Sequence, residues 1–259
     1  MTLTPYAHDL AREGLYRFFA GILSDPRTAR YALMRDSMNL NWLQAATELL
    51  REEQAPASLG FGEQPPEELS VDDVWTFLNL DRKHQMAEYQ RVFGLMSCRE
   101  CPPYETEYHP NNEPFFRSQQ MADVAGFYNA FGLVTPPNCS ERPDHLPLQL
   151  EFMAYLLMKA RLARQSDDQA GWHDQVEVCE ETALKFFAEH LAWWVPSFTR
   201  GLRHKAGDGL FAELADALAA FITLERQRYG LPPAKLPVHP DADAEPEEEG
   251  CAGCTLKGK

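Results

Sequence analysis

The stretch Leu148–Leu162 constrains the chain most. Its apolar residues, Leu148, Leu150, Phe152, Met153, Ala154, Tyr155, Leu156, Leu157 and Met158 among them, cover nearly the whole circumference of a helix. A helix with so little polar surface belongs in the middle of a fold, so the rest of the chain must supply its cover. What the flanks offer is also helical. Leu10, Phe18 and Ile22, with Ala11, Leu15 and Phe19, mark a first helix that stops near Asp25-Pro26. Trp42, Ala46 and Leu49 mark a short one. Ser70 followed by Asp73 reads as a capping box opening 71–93, with a break near Asp81. Met121, Val124, Phe127, Tyr128 and Phe131 share a face after Ser118, and Gly132 is a natural stop. Segments 176–194 and 210–229 complete the set. No segment alternates as a strand does. The expectation is an all-α bundle of about eight to ten helices over residues 1–230. Beyond it lies a flexible tail, 231–259, rich in proline and acid.

Charge excludes some partners. The net charge is −15, so the surface repels nucleic acid and anionic membrane, and it suits a partner with clustered arginine or lysine. The longest apolar runs, such as Phe152–Met158, are too short to span a bilayer. The N-terminus carries Asp9 and Glu13 and lacks the basic and apolar regions of an export signal, so a cytoplasmic location is expected. Six cysteines there are thiols or metal ligands rather than disulfides.

Two strings stand out. Cys101-Pro102-Pro103-Tyr104-Glu105-Thr106-Glu107-Tyr108 is held extended by its double proline. It fits either a rigid loop whose tyrosines pack on neighbouring helices, or a rim in which Glu105 and Glu107 accept arginine or lysine. Glu141-Arg142-Pro143-Asp144-His145 stands where a loop enters the apolar helix. Asp144 suits the N-cap there, and Asn would serve as well. Glu141 can pair with Arg142 or the helix N-terminus, and His145 can titrate near neutral pH or donate to a partner. An Asp144–His145 acid–base pair would make a hydrolase, but no nucleophile or metal motif accompanies it. Glu189-His190-Leu191 with Trp193-Trp194 and Pro196 reads as a helix end with aromatic packing.

These strings fall in a known order. Tyr89-Gln90-Arg91-Val92-Phe93, then 102–108, then Phe127-Tyr128-Asn129-Ala130-Phe131-Gly132, then 141–145, then Leu150-Glu151-Phe152-Met153 resembles the TorD/DmsD/NarJ family. Phe186-Phe187 with His190-Leu191 and Trp194 agrees, and the likeness runs from about Ala11 to Tyr229. The resemblance implies an all-α cytoplasmic chaperone that is not an enzyme. Its client would be the catalytic subunit of a dimethyl-sulfoxide-reductase-type molybdoenzyme. The chaperone would bind the precursor, often at its twin-arginine signal peptide, until bis-molybdopterin guanine dinucleotide is inserted. That cofactor belongs to the client, and the chaperone, a monomer or homodimer, requires none. Carried over by position, client binding falls to Tyr89, Phe93, Tyr104, Glu141, Asp144 and His145, with Glu105 and Glu107 supplying further charge. Pro143 and Leu146-Pro147-Leu148 resemble the nitrate-reductase-assembly, delta-subunit-like branch.

The pairs Cys98/Cys101 and Cys251/Cys254 lie outside that pattern. Two Cys-x-x-Cys pairs can grip one zinc ion or an iron–sulfur centre, which would suit a metal-binding accessory subunit of a redox complex. The intervening tail, at about 3.3 Å per residue, is long enough to bring them together. The other reading is a mobile tail with reduced thiols.

Overall fold

The computed structural model describes residues 6–52, 58–94, 99–110, 113–134, 141–165 and 172–235. Among them are ten α-helices, two 3-10 turns (Pro66–Glu68 and Glu105–Tyr108) and no strand. The helices are α1 Ala7–Ile22, α2 Ala29–Ser37, α3 Leu40–Glu52, α4 Val74–Leu78, α5 Arg82–Phe93, α6 Pro114–Ala130, α7 Leu146–Arg164, α8 Trp172–His190, α9 Val195–Ala206 and α10 Leu210–Arg228.

Local chemistry explains most boundaries. The break at Asp81 is an N-cap: its carboxylate accepts from His84 N at 3.0 Å, opening α5. Ser70 forms no capping box. Its Oγ accepts from Asp72 N, and α4 begins only at Val74. Helix α6 starts at Pro114, four residues before the sequence suggests, because proline at the first helical turn loses no needed N–H. Gly132, at φ +71°, ends it, a conformation that costs glycine little. Pro196 likewise opens α9 rather than closing α8. Among the described residues no helix is long and apolar enough to cross a membrane.

Helix α7 packs between α1 and α8, and α10 packs along α9. The most enclosed helix is α10, with fourteen of 19 residues buried against eleven of 19 in α7. Its alanines hid this in the sequence, yet small side chains are what let neighbours close around it. Phe221 of α10 meets Tyr16 at 4.8 Å and Phe19 at 5.6 Å. A buried polar clamp fixes the same contact. Arg12 donates to both oxygens of Glu225 at 2.6 and 2.7 Å, and Tyr16 donates to Glu225 at 3.0 Å. Arg12 also reaches the Tyr229 hydroxyl at 2.9 Å.

The start of the expected tail is docked. Phe61 N donates to Ala234 O at 3.0 Å, and Ala234 N to Glu63 at 3.2 Å. The remainder, 236–259, with Cys251 and Cys254, lies outside the described residues, as does Cys98.

Candidate functional site

The site begins with the double proline. It holds Pro102–Tyr104 extended alongside the turn that enters α7. The two backbones pair briefly: Tyr104 bridges His145, Glu105 N donates to Asp144 O at 3.1 Å, and Leu146 N to Pro103 O at 2.9 Å. Gly201 of α9 lets the loop lie close, since a Cβ there would sit 2.4 Å from Glu100 O. So the two strings singled out in the sequence meet.

Their acids have different fates. Asp144 is fully buried and is not an N-cap; that position falls to His145, whose side chain makes no capping bond. Asp144 instead ties the two strings together. Its Oδ2 accepts from Thr106 N at 3.1 Å, Thr106 Oγ1 at 2.8 Å and Arg142 Nη2 at 2.6 Å, and its Oδ1 from Arg142 Nε at 2.9 Å. Glu107 is held between two arginines, with Arg117 Nη1 and Nη2 each at 3.1 Å and Arg142 Nη1 at 3.0 Å. Glu105 is 1% exposed; it accepts from Gln149 at 2.5 Å and faces His190 Nδ1 at 3.1 Å. Burial pushes its carboxyl above the ordinary range, against the pull of His190. Glu141 alone of the four is part-exposed with no arginine on it, accepting from the Tyr104 hydroxyl at 3.2 Å.

The aromatic residues form two groups. Tyr104 stacks on His145, ring centroids 5.0 Å apart, with the Arg142 guanidinium 4.4 Å over its ring. Its hydroxyl is pushed up to about 12 by burial and by Glu141. His145 is 4% exposed, and burial, with Arg30 nearby, pulls it down to about 3. It is therefore neutral across the physiological range rather than titrating near pH 7. Its Nδ1 lies 3.4 Å from Glu141 but makes no hydrogen bond. Tyr89 and Phe93 stack on each other at 4.8 Å, and Phe93 packs on Phe211 of α10 at 5.3 Å. Phe93 is buried, whereas Tyr89 is half-buried, its hydroxyl held well above its usual value by burial first and then by Asp25 and Glu141. Cys101 is buried at the head of the loop.

Sequence reasoning missed a groove. Leu133, Val134, Leu148, Phe152, Tyr155 and Met158 line a cleft of about 530 Å³, with Arg17, Arg30 and Glu151 around it. It adjoins the 141–145 turn, because Tyr128 on its wall donates to Pro143 O at 3.0 Å. The clue was present: Leu148, Glu151, Tyr155, Met158 and Leu162 recur at helical spacing, and none is buried. Helix α7 thus leaves one stripe at the surface.

The model of the nitrate reductase delta subunit family matches residues 68–200, just over half the chain and both strings of the site. The chain belongs to that family. Named relatives agree. The chain is 31% identical over 124 residues to the selenate reductase assembly chaperone protein of Thauera selenatis, covering 48% of this chain and 60% of that one. It is 28% identical over 157 residues to the chlorate reductase assembly chaperone protein of Ideonella dechloratans, covering 60% and 76%. To the chaperone protein TorD of Vibrio cholerae it is 28% identical over 162 residues, 61% of each. The chain therefore spans about three-fifths of the selenate and TorD relatives it matches. In this delta-subunit relative the Asp144 staple and the Glu141 rim both fall within the matched segment.

Proposed function

We propose that this chain is a cytoplasmic assembly chaperone for the catalytic subunit of a molybdenum-containing reductase, and that it acts by binding rather than by turnover. Relatives named for selenate and chlorate reductase assembly support this reading. The observation that carries it is the apolar cleft on α7 adjoining, through Tyr128 and Pro143, the turn on which the Glu141 carboxylate is part-exposed. A twin-arginine signal peptide has complementary chemistry: two guanidinium groups followed by an apolar stretch. In this reading Glu141 accepts an arginine, Tyr104 and Tyr89 flank it, and Leu148, Tyr155 and Met158 receive apolar side chains. Asp144, Glu107 and His145 keep the rim in shape, and Glu105 and Phe93 anchor it from inside. The molybdopterin cofactor stays with the client. An Asp144–His145 acid–base pair gains no support, because among the described residues the Asp144 carboxylate accepts from Thr106 and Arg142, and His145 is buried and neutral.

Calorimetry with a twin-arginine peptide tests the reading. Replacing both arginines by glutamine is expected to weaken binding at least several-fold, binding should weaken as salt rises, and Glu141→Gln should reproduce the loss without unfolding. Equal affinity for the two peptides refutes the electrostatic part.

A further inference from the structure

The helix end Glu189-His190 holds more than aromatic packing. His190 is 1% exposed and its ring is wedged against Phe127 and Phe186, with centroids 5.3 and 5.0 Å away. Its Nδ1 faces the buried Glu105 at 3.1 Å. Its Nε2 is buried and makes no hydrogen bond. That nitrogen points toward Asp123 of α6, whose Oδ2 is 3.5 Å away, and the carboxylate of Glu189 completes the group. The three donor atoms lie within 4.8 Å of one another.

We propose that Asp123, Glu189 and His190 form a site for a divalent first-row metal ion, with zinc the best fit. Three features converge on it. A histidine that ligates metal through one nitrogen usually has the other held by a carboxylate or carbonyl, which fixes the tautomer and aims the ring; Glu105 stands in that place. A buried nitrogen without a partner is costly unless something binds it. The donor set, one imidazole and two carboxylates, neutralises a dipositive ion, and the imidazole favours zinc over magnesium or calcium. Zinc bonds of about 2.1 Å place tetrahedral ligands roughly 3.4 Å apart, so the donors must close in. The exposed side chains supply that movement: Asp123 is 62% exposed, while His190 is locked. Water would fill the remaining position. The ion would staple α6 to α8 directly behind Glu105, and so behind the loop that pairs with Asp144. None of the four cysteines in the two Cys-x-x-Cys pairs takes part.

The test uses the full-length chain, stripped with a chelator and titrated with zinc by calorimetry, alongside thermal melting. The proposal expects one equivalent bound at this site and a melting temperature that rises with zinc. Asp123→Asn with Glu189→Gln changes exposed side chains, so the fold should persist by circular dichroism while this equivalent weakens at least tenfold. A Cys251→Ser/Cys254→Ser chain should keep it. Absence of stoichiometric zinc binding by the wild-type chain, or unchanged binding and stabilisation in Asp123→Asn/Glu189→Gln, overturns the proposal.

Discussion

Asp144→Asn separates a staple from a helix cap. At an N-cap, Asn replaces Asp with little change. In the structure the carboxylate instead receives four hydrogen bonds, two of them from Arg142. An Asn oxygen placed at Oδ2 keeps the Thr106 pair and one arginine bond. Its NH2 then faces Arg142 Nε, donor against donor, and the negative charge is gone. Breaking a buried ion pair costs about 3–5 kcal/mol, and each charge-assisted bond contributes about 1.5–3 kcal/mol. Arg142 is 34% exposed and keeps Glu107, which softens the loss. A cost of about 2–4 kcal/mol is expected, or roughly 5–12 °C in melting temperature for a chain of this size. Urea denaturation measures it. Arg142→Gln should cost a similar amount, and the double variant less than the sum by at least about 1 kcal/mol, because the two side chains share one interaction. A single-variant change below about 0.5 kcal/mol, or strict additivity, refutes the staple.

Other expectations follow from the same contacts. His145 is held neutral down to about pH 3, whereas the unfolded chain protonates it near its usual 6.5. Below pH 6.5 the unfolded state therefore binds the extra proton, and stability falls with pH by up to about 1.4 kcal/mol per unit until the folded state also protonates. Between pH 7 and 5 the wild type should lose about 2 kcal/mol more than His145→Gln, measured by denaturation at each pH. Glu225→Gln strands Arg12, which is 6% exposed, and should destabilise by about 3–5 kcal/mol in urea. Leu148→Asp with Met158→Asp alters part-exposed groove residues, so it should leave melting within a few degrees while weakening the apolar portion of peptide binding at least tenfold in calorimetry.

Helical class, the break at Asp81 and the stop at Gly132 were legible because each rests on local chemistry. Two helices were not. The short α2 owes its start to Thr28, whose hydroxyl accepts from Tyr31 N, and its apolar face is sparse. Helix α9 begins with a proline that also reads as a terminator. At the candidate site, the sequence singled out two strings that the fold brings together, but not the partners of their side chains. Thr106 and Asp144 are 38 positions apart, and nothing local says that one oxygen of Asp144 will be spent on both the amide and hydroxyl of Thr106. Read as a cap, Asp144 looked replaceable; read as a staple, it is not. The opposite error hid the groove. The near-uniform apolar sequence of α7 suggested burial on all sides, but burial depends on what neighbours are available, and among the described residues the Leu148–Met158 stripe is left part-exposed along the cleft.

The most direct test of the proposed function is recovery of the client. The full chain, expressed at native level and captured gently from its own cells, should bring down one dominant protein. The expected protein is a molybdopterin-type catalytic subunit still carrying its twin-arginine leader, recovered at least several-fold less with Glu141→Gln. Capture of no such subunit, or equal recovery of a form lacking the leader, would contradict binding of the precursor at this face.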